Sequence, residues 1–276
     1  MQLHIVPART GLLWVRSGMR LFARQPLSLA VLFLFMQLLS SVLAVVPILG
    51  VAVALVLTPA FLAGMVAGAH EAAQGRPARA GLLFAGLRQG KPRTVAMLLL
   101  GLFFAVACVL VMGAASLFDD GAAASGADAA DAKITQETLM RDGVPGWLWF
   151  TLALTVPLLL VFSNAAALVY WYGVTPAKSL FFSLVAGLRN AGAFVVFLLG
   201  WCVVFVATGM AVGVVATLLA LVLGGGSSAS ALLTVGLVAG SMLVIASMFF
   251  TSSYPAYIAC FGPPPDDTAS TPHQPG

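Results

Sequence analysis

Charged residues are scarce in this sequence. Asp, Glu, Lys and Arg make up 8% of its 276 residues, against roughly 25% in an average soluble domain, whereas 61% of the residues are hydrophobic. A soluble fold cannot cover so much apolar surface, so the composition excludes a soluble globular protein. Each helical span of a bilayer uses about 20 apolar residues, which this chain supplies several times over. The sequence therefore predicts a multi-spanning helical membrane protein.

Cysteine is also rare, and recognisable catalytic motifs are missing. The three cysteines stand singly in apolar segments, with no C-x-x-C pair and no His or carboxylate at ligand spacing. His70-Glu71 lacks the second His of H-E-x-x-H, no G-x-S-x-G elbow occurs, and Gly86 to Lys91 is one residue short of a Walker A loop. We therefore expect a protein that is not an enzyme and that uses no cofactor or metal.

Six apolar stretches divide the chain, and none has a charged residue or a histidine in its core. They cover residues 26–46, 48–69, 95–117, 147–172, 193–223 and 229–260. The fifth would be about 46 Å long as a helix, more than one bilayer core, so we expect it to tilt or to project. The expected fold is an all-α polytopic transmembrane bundle of six helices over residues 26–262. An amphipathic helix over residues 1–25 precedes it, and a disordered tail over residues 263–276 follows it.

Lysine and arginine lie mostly on one side of the predicted spans. With the N-terminus in the cytoplasm, eleven of the thirteen basic residues are cytoplasmic, as the positive-inside rule requires. The acidic loop over residues 118–146 is then periplasmic, and its composition predicts disorder or at most a short helix near residues 133–140. We expect a bacterial inner-membrane protein with both termini in the cytoplasm. Because the basic residues flank spans and form no dense patch, no nucleic-acid partner is expected.

A short signature precedes each span that leads outward. It combines a small residue, a glycine, an apolar residue and an arginine, in Ser17-Gly18-Met19-Arg20, Ala85-Gly86-Leu87-Arg88 and Ala186-Gly187-Leu188-Arg189. The repeat predicts three helical hairpins, each introduced by a short amphipathic helix at the cytoplasmic surface. For the second and third signatures, the alternative is a simple continuation of the neighbouring membrane helix.

The first of these short helices has two contrasting faces. Its arginines fall within about 80° of one another, and the apolar residues Gly11, Trp14, Val15, Gly18, Leu21 and Phe22 take the opposite side. We expect the tryptophan at headgroup level and the arginines against the cytoplasm and anionic lipid. With the arginines of the other two signatures, the predicted lipid or interface contacts are Arg9, Trp14, Arg16, Arg20, Arg24, Arg88 and Arg189.

The opening of the chain resembles an uncharacterised family of bacterial integral membrane proteins. These proteins begin with the pattern V-P-A-x-x-G-x-x-W-x-x-x-G-x-x-L-F-x-x-x-P. The matching residues here are Val6-Pro7-Ala8, Gly11, Trp14, Gly18, Leu21-Phe22 and Pro26. The resemblance covers about the first 26 residues. It implies membership and topology, and it brings no catalytic or binding residue with it.

Two amides within the predicted spans, Gln37 and Asn164, need a hydrogen-bond partner in hydrocarbon. Hydrogen bonds to other helices are the favoured interpretation, and a substrate site is the alternative. The predicted function is a non-enzymatic inner-membrane protein whose basic cytoplasmic face contacts lipid, a membrane protein partner or a second copy of the chain. The alternative is a passive channel or uncoupled transporter with a continuous polar path near the two amides.

Overall fold

The computed structural model describes residues 3–116, 146–224 and 227–264, and helices dominate these ranges. Within them, eight α-helices and one 3-10 helix, Ala80–Leu87, follow one another. The α-helices are α1 Thr10–Arg24, α2 Pro26–Ala44, α3 Leu49–Ala73, α4 Lys91–Ser116, α5 Gly146–Tyr172, α6 Pro176–Arg189, α7 Ala191–Leu223 and α8 Ser228–Phe261. The short helix expected near residues 133–140, the acidic loop before Gly146 and the tail from residue 265 lie outside the described residues.

Six of the described helices, α2 to α5, α7 and α8, are long and apolar enough to cross a membrane. The predicted all-α fold with six transmembrane helices is therefore confirmed. Some helices extend beyond the apolar stretches that predicted them: α3 continues to Ala73, and α4 begins at Lys91. The helical backbone extends there because a span must satisfy its own N–H and C=O groups up to the membrane surface.

The spans pair as three antiparallel hairpins. Helix α2 packs on α3, α4 on α5, and α7 on α8. Helix α3 lies at the centre, since it also contacts α4, α5 and α8 and contributes to both hydrophobic clusters of the interior. At the α2–α3 turn, a Cβ on Gly50 would lie 2.8 Å from the carbonyl carbon of Leu43. Glycine is therefore required for the two helices to leave this turn in contact.

Each of the three signatures lies in, or at the end of, a short helix of its own. Helix α1 packs on α7 and α8, the 3-10 helix packs on α3, and α6 packs on α5. The second and third are separate elements and not continuations of a membrane helix, because Arg88 follows the 3-10 helix and Asn190 separates α6 from α7. We call the end of the bundle where these helices lie the arginine end. It carries all eleven lysines and arginines of the described residues.

Helices α7 and α8 are the longest described, with 33 and 34 residues. Only 11% of the most apolar window of each helix is buried inside the protein. Beyond the first three turns of α7, large apolar side chains such as Val206, Met210 and Leu221 are exposed, and Leu232 continues this surface on α8. Exposed apolar side chains of this number are typical of a surface that lipid covers.

Candidate functional site

Helix α1 shows the two faces that its sequence predicts. Its buried residues are Gly11, Trp14, Val15, Gly18, Leu21 and Phe22, the same six that the helical pattern assigns to the apolar side. The opposite side carries an arginine row, which we define as Arg9, Arg16, Arg20 and Arg24, and all four residues are exposed. The helix therefore presents its charges outward while the bundle holds its other face.

The environment of Trp14 differs from the expected one. Its side chain is 2% exposed, and its ring centroid lies 5.1 Å from that of Phe194 and 6.0 Å from that of Phe197. The expectation that Trp14 lies among lipid headgroups is therefore wrong, because protein covers the indole. Close packing allows this: a Cβ on Gly11 would lie 2.7 Å from the Phe197 nitrogen, and a Cβ on Gly18 would lie 2.7 Å from the Ser252 Cα.

Asn190, which the sequence did not single out, fixes the N-terminal segment to the bundle. Its side chain accepts a hydrogen bond from the Val6 N–H at 2.8 Å and donates to the His4 carbonyl at 3.1 Å. The His4 N–H donates in turn to the carbonyl of Cys260 at the end of α8, at 2.9 Å. Asn190 is 2% exposed. Its only sequence signal is a lone amide between two helices, which is too common to indicate this role.

The N-terminal motif acquires a structural explanation from these contacts. Val6 is bound by Asn190, and the carbonyl of Pro7 accepts a hydrogen bond from the Thr10 N–H at 2.9 Å, which starts α1. Ala8 lies next to Gly192 at the start of α7, and Pro26 is at the first turn of α2. With the glycines and Trp14 already described, the motif residues seat the N-terminal segment and α1 on the bundle.

The predicted arginine contacts belong to three separate elements. Arg88 and Arg189, like the arginine row, are exposed. Arg189 ends α6, whereas Arg88 follows the 3-10 helix and lies 5.8 Å from the centre of the Phe84 ring, within cation–π distance. The structure therefore brings the seven predicted contact residues to the same end of the bundle, but not into one cluster, and it buries Trp14.

Arg88 also lines a pocket of about 830 Å³ beside the end of α3, which we call the arginine pocket. Arg76 and Arg79 complete its basic lining. Arg76 forms a bidentate ion pair with Glu71, with distances of 2.6 and 2.9 Å, and this carboxylate raises the pKa of Arg76. Neither Arg79 nor Arg88 forms a salt bridge with another described residue. Two of the three guanidinium groups are thus available to an anion.

The two predicted polar contacts inside the spans, Gln37 and Asn164, lie in different grooves. Gln37 is exposed and lines a groove between α2 and α8, whereas Asn164 is buried and lines a cleft between α5, α6 and α7. Neither side chain forms a hydrogen bond with another described residue, so interhelical hydrogen bonds stay a prediction for both. Apolar residues dominate both grooves, and the two amides therefore do not line a shared polar path.

The buried serine and threonine hydroxyl groups of α8 form hydrogen bonds within the protein. Ser247, Thr251 and Ser252 are buried, and each donates to a carbonyl three or four residues earlier in the same helix. Ser252 also accepts a hydrogen bond from Trp201 Nε1 at 3.2 Å. Across the described ranges, no three His, Cys, Asp or Glu side chains lie close enough to hold a metal ion. The three cysteines, Cys108 included, are unpaired.

Sequence similarity extends over nearly the whole chain. A probable inner membrane protein of Burkholderia thailandensis is 33% identical to it over 268 residues, which cover 95% of this chain and 94% of that protein. No protein-family profile and no solved structure matches the chain. The similarity therefore reaches far beyond the 26 residues of the N-terminal motif and includes the spans.

Proposed function

The chain belongs to the family of this probable inner membrane protein, and from that premise we propose that it is a non-enzymatic multi-pass protein whose basic face binds anionic phospholipid. One observation carries the proposal: α1 buries its apolar face in protein while its arginine row stays exposed. A surface helix that merely floated in the interface would instead insert its apolar face into lipid. Here the exposed side of the helix carries the arginine row, together with Leu12 and Leu13, which are about half exposed.

The proposal places the arginine end, and with it both termini, in the cytoplasm. All eleven described lysines and arginines are found at this end, and such a bias is typical of the cytoplasmic side. The cytoplasmic leaflet also carries the negative surface potential that attracts basic residues, worth about 1 kcal/mol for each Lys or Arg near the surface. Orientation and lipid preference thus rest on the same distribution of charge.

Arginine suits phosphate headgroups better than lysine does. Its planar guanidinium donates two parallel hydrogen bonds to a phosphate, whereas the lysine ammonium acts as a point charge. Arg16, Arg20 and Arg24 follow one another at intervals of four residues, so they extend along one side of α1. Because Gly11 and Gly18 fix this helix on α7 and α8, the row has a defined position relative to the spans.

The test compares thermal melting of the purified protein in nanodiscs of phosphatidylcholine with and without phosphatidylglycerol. We expect phosphatidylglycerol to raise the melting temperature of the wild type, and added salt to reduce this gain. The triple variant Arg16→Glu, Arg20→Glu, Arg24→Glu should lose the gain, and the matched triple lysine variant should keep most of it. A glutamate variant that gains as much as the wild type would show that this face does not bind anionic lipid.

The alternative function, a passive channel or uncoupled transporter, has weaker support. It requires a continuous polar path near Gln37 and Asn164, and these residues line two separate grooves with mostly apolar walls. Contact of the basic face with a membrane protein or with a second copy of the chain fits the same charges. It would be the interpretation to pursue if the lysine and glutamate variants insert normally and respond equally to lipid.

A further inference from the structure

The cleft between α5, α6 and α7 contains a buried amide without a partner. The cleft encloses about 240 Å³, and Asn164 of α5 lines it while only 5% of the residue is exposed. No described residue forms a hydrogen bond with its carboxamide. Water is absent from the hydrocarbon region of a bilayer, so the two N–H groups and the carbonyl of this amide favour a ligand that offers hydrogen bonds.

The rest of the cleft lining is apolar or already satisfied. Ser183 is its second polar residue, and its hydroxyl donates to the carbonyl of Val161 at 2.7 Å. Leu184 and Leu188 of α6 and Val195 of α7 line the cleft and are exposed. These side chains continue into the apolar outer surface of the bundle, so the cleft opens toward lipid.

Gly187 leaves room in this cleft. At the same position of the signature, a Cβ on Gly18 would collide with Ser252, and a Cβ on Gly86 would lie 3.0 Å from the terminal methyl group of Met97. A Cβ on Gly187 would meet nothing within 4 Å, and this glycine has no positive φ. Neither packing nor backbone conformation therefore requires a glycine here. A larger side chain at this position would extend into the cleft.

We propose that the cleft binds an acyl chain whose carbonyl oxygen accepts a hydrogen bond from Asn164 Nδ2. The apolar walls fit the hydrocarbon chain, the opening toward lipid admits it from the bilayer, and the amide satisfies the carbonyl. A phospholipid ester and a free fatty acid share this chemistry. The site contains no residue of the arginine row. The proposal can therefore be tested independently of anionic-lipid binding by α1.

The first experiment uses the wild-type protein in nanodiscs of ether-linked phosphatidylcholine, whose chains carry no ester carbonyl. One sample contains phosphatidylethanolamine with a diazirine in one acyl chain, and a second contains a diazirine-bearing fatty acid. We expect crosslinks on α6 and α7 at the cleft, and an unlabelled ester lipid should compete about threefold better than its ether analogue, which lacks the carbonyl. Crosslinks from the fatty acid alone would assign the site to free acid. Crosslinks spread evenly along α7 and α8 would overturn the proposal, and so would equal competition by both lipids against a phospholipid that does crosslink at the cleft.

Variants then test the contributions of the apolar cleft walls and of the Asn164 amide separately. Gly187→Leu should reduce crosslinking at the cleft to the level of the outer helix surface, because leucine fills the space. Asn164→Leu keeps the size of the side chain and should abolish the preference for ester over ether. The matched control is Gly209→Leu, a glycine of α7 that also has nothing within 4 Å of a Cβ and does not line the cleft. Unchanged crosslinking in Gly187→Leu contradicts the proposal, and the ester–ether comparison in the wild type remains decisive if a variant fails to fold.

Discussion

Asn190 binds the backbone of Val6 through a 2.8 Å hydrogen bond that joins two residues 184 positions apart in the sequence. The same carboxamide donates to the carbonyls of His4 and Ala186. One buried side chain thus ties the N-terminal segment to the corner between α6 and α7, and α1 follows directly from that segment. The position of the arginine row depends on this attachment.

Replacing Asn190 with alanine should destabilise the protein. The substitution leaves the Val6 N–H and the His4 carbonyl without their partner, and a buried unsatisfied group costs about 1–3 kcal/mol. Thermal melting in detergent should therefore show a clearly lower transition. Gln37→Ala is the control, because this exposed amide has no partner among the described residues. Equal melting temperatures for the two variants would mean that the Asn190 hydrogen bonds do not stabilise the fold.

A side chain at Gly18 should separate α1 from α8. A Cβ there would lie 2.7 Å from the Ser252 Cα, so Gly18→Leu cannot be accommodated without moving the helix. We expect faster tryptic cleavage after Arg16 and Arg20 and a lower melting temperature. Gly209→Leu places the same side chain in open space on α7 and should change neither measurement. Resistance of the Gly18 variant to trypsin at wild-type level would contradict the described packing.

Trp201 and Ser252 should show coupled contributions to stability. Their hydrogen bond is buried and joins α7 to α8. In membrane proteins such bonds contribute about 0.6 kcal/mol on average and up to about 1.7 kcal/mol. A double-mutant cycle with Trp201→Phe and Ser252→Ala isolates this energy from the cavity that the smaller ring leaves. Strictly additive effects would indicate that the hydrogen bond contributes nothing to stability.

Reporter fusions should establish the orientation. An alkaline phosphatase fused after Asp128, in the acidic loop, should be active, because this enzyme folds only outside the cytoplasm. A fluorescent protein that requires the cytoplasm should be active at the C-terminus. The reverse pattern would place the arginine end in the periplasm and remove the basis for cytoplasmic lipid binding.

The features that the sequence predicted correctly depend on periodicity and local composition. The six spans follow from apolar runs, and the two faces of α1 follow from the spacing of its arginines against Trp14 and its neighbours. Such patterns are local, so a single segment is enough to reveal them. The repeated signature is also local, and it correctly predicted three short elements that precede spans at the arginine end.

The features that the sequence did not predict depend on which part of the protein or the bilayer packs against a given helix face. An apolar face looks the same whether lipid or protein covers it, so the helical pattern placed Trp14 in the interface although Phe194 and Phe197 cover it. Asn190 escaped notice because its partners lie at the other end of the chain. For Asn164 the pattern indicated a need for hydrogen bonds, but only the structure reveals that its side chain faces the cleft between α5, α6 and α7 and forms no hydrogen bond with a described residue.

The unequal lengths of the helices have a consequence for the surrounding membrane. Helix α2, with 19 residues, is about 28 Å long, close to the thickness of a hydrocarbon core, whereas α7 and α8 reach about 50 Å. Among the described helices, hydrophobic mismatch is therefore largest beside the α7–α8 hairpin. Lipid beside α2 can keep its ordinary thickness, but beside the α7–α8 hairpin it must stretch or the hairpin must tilt.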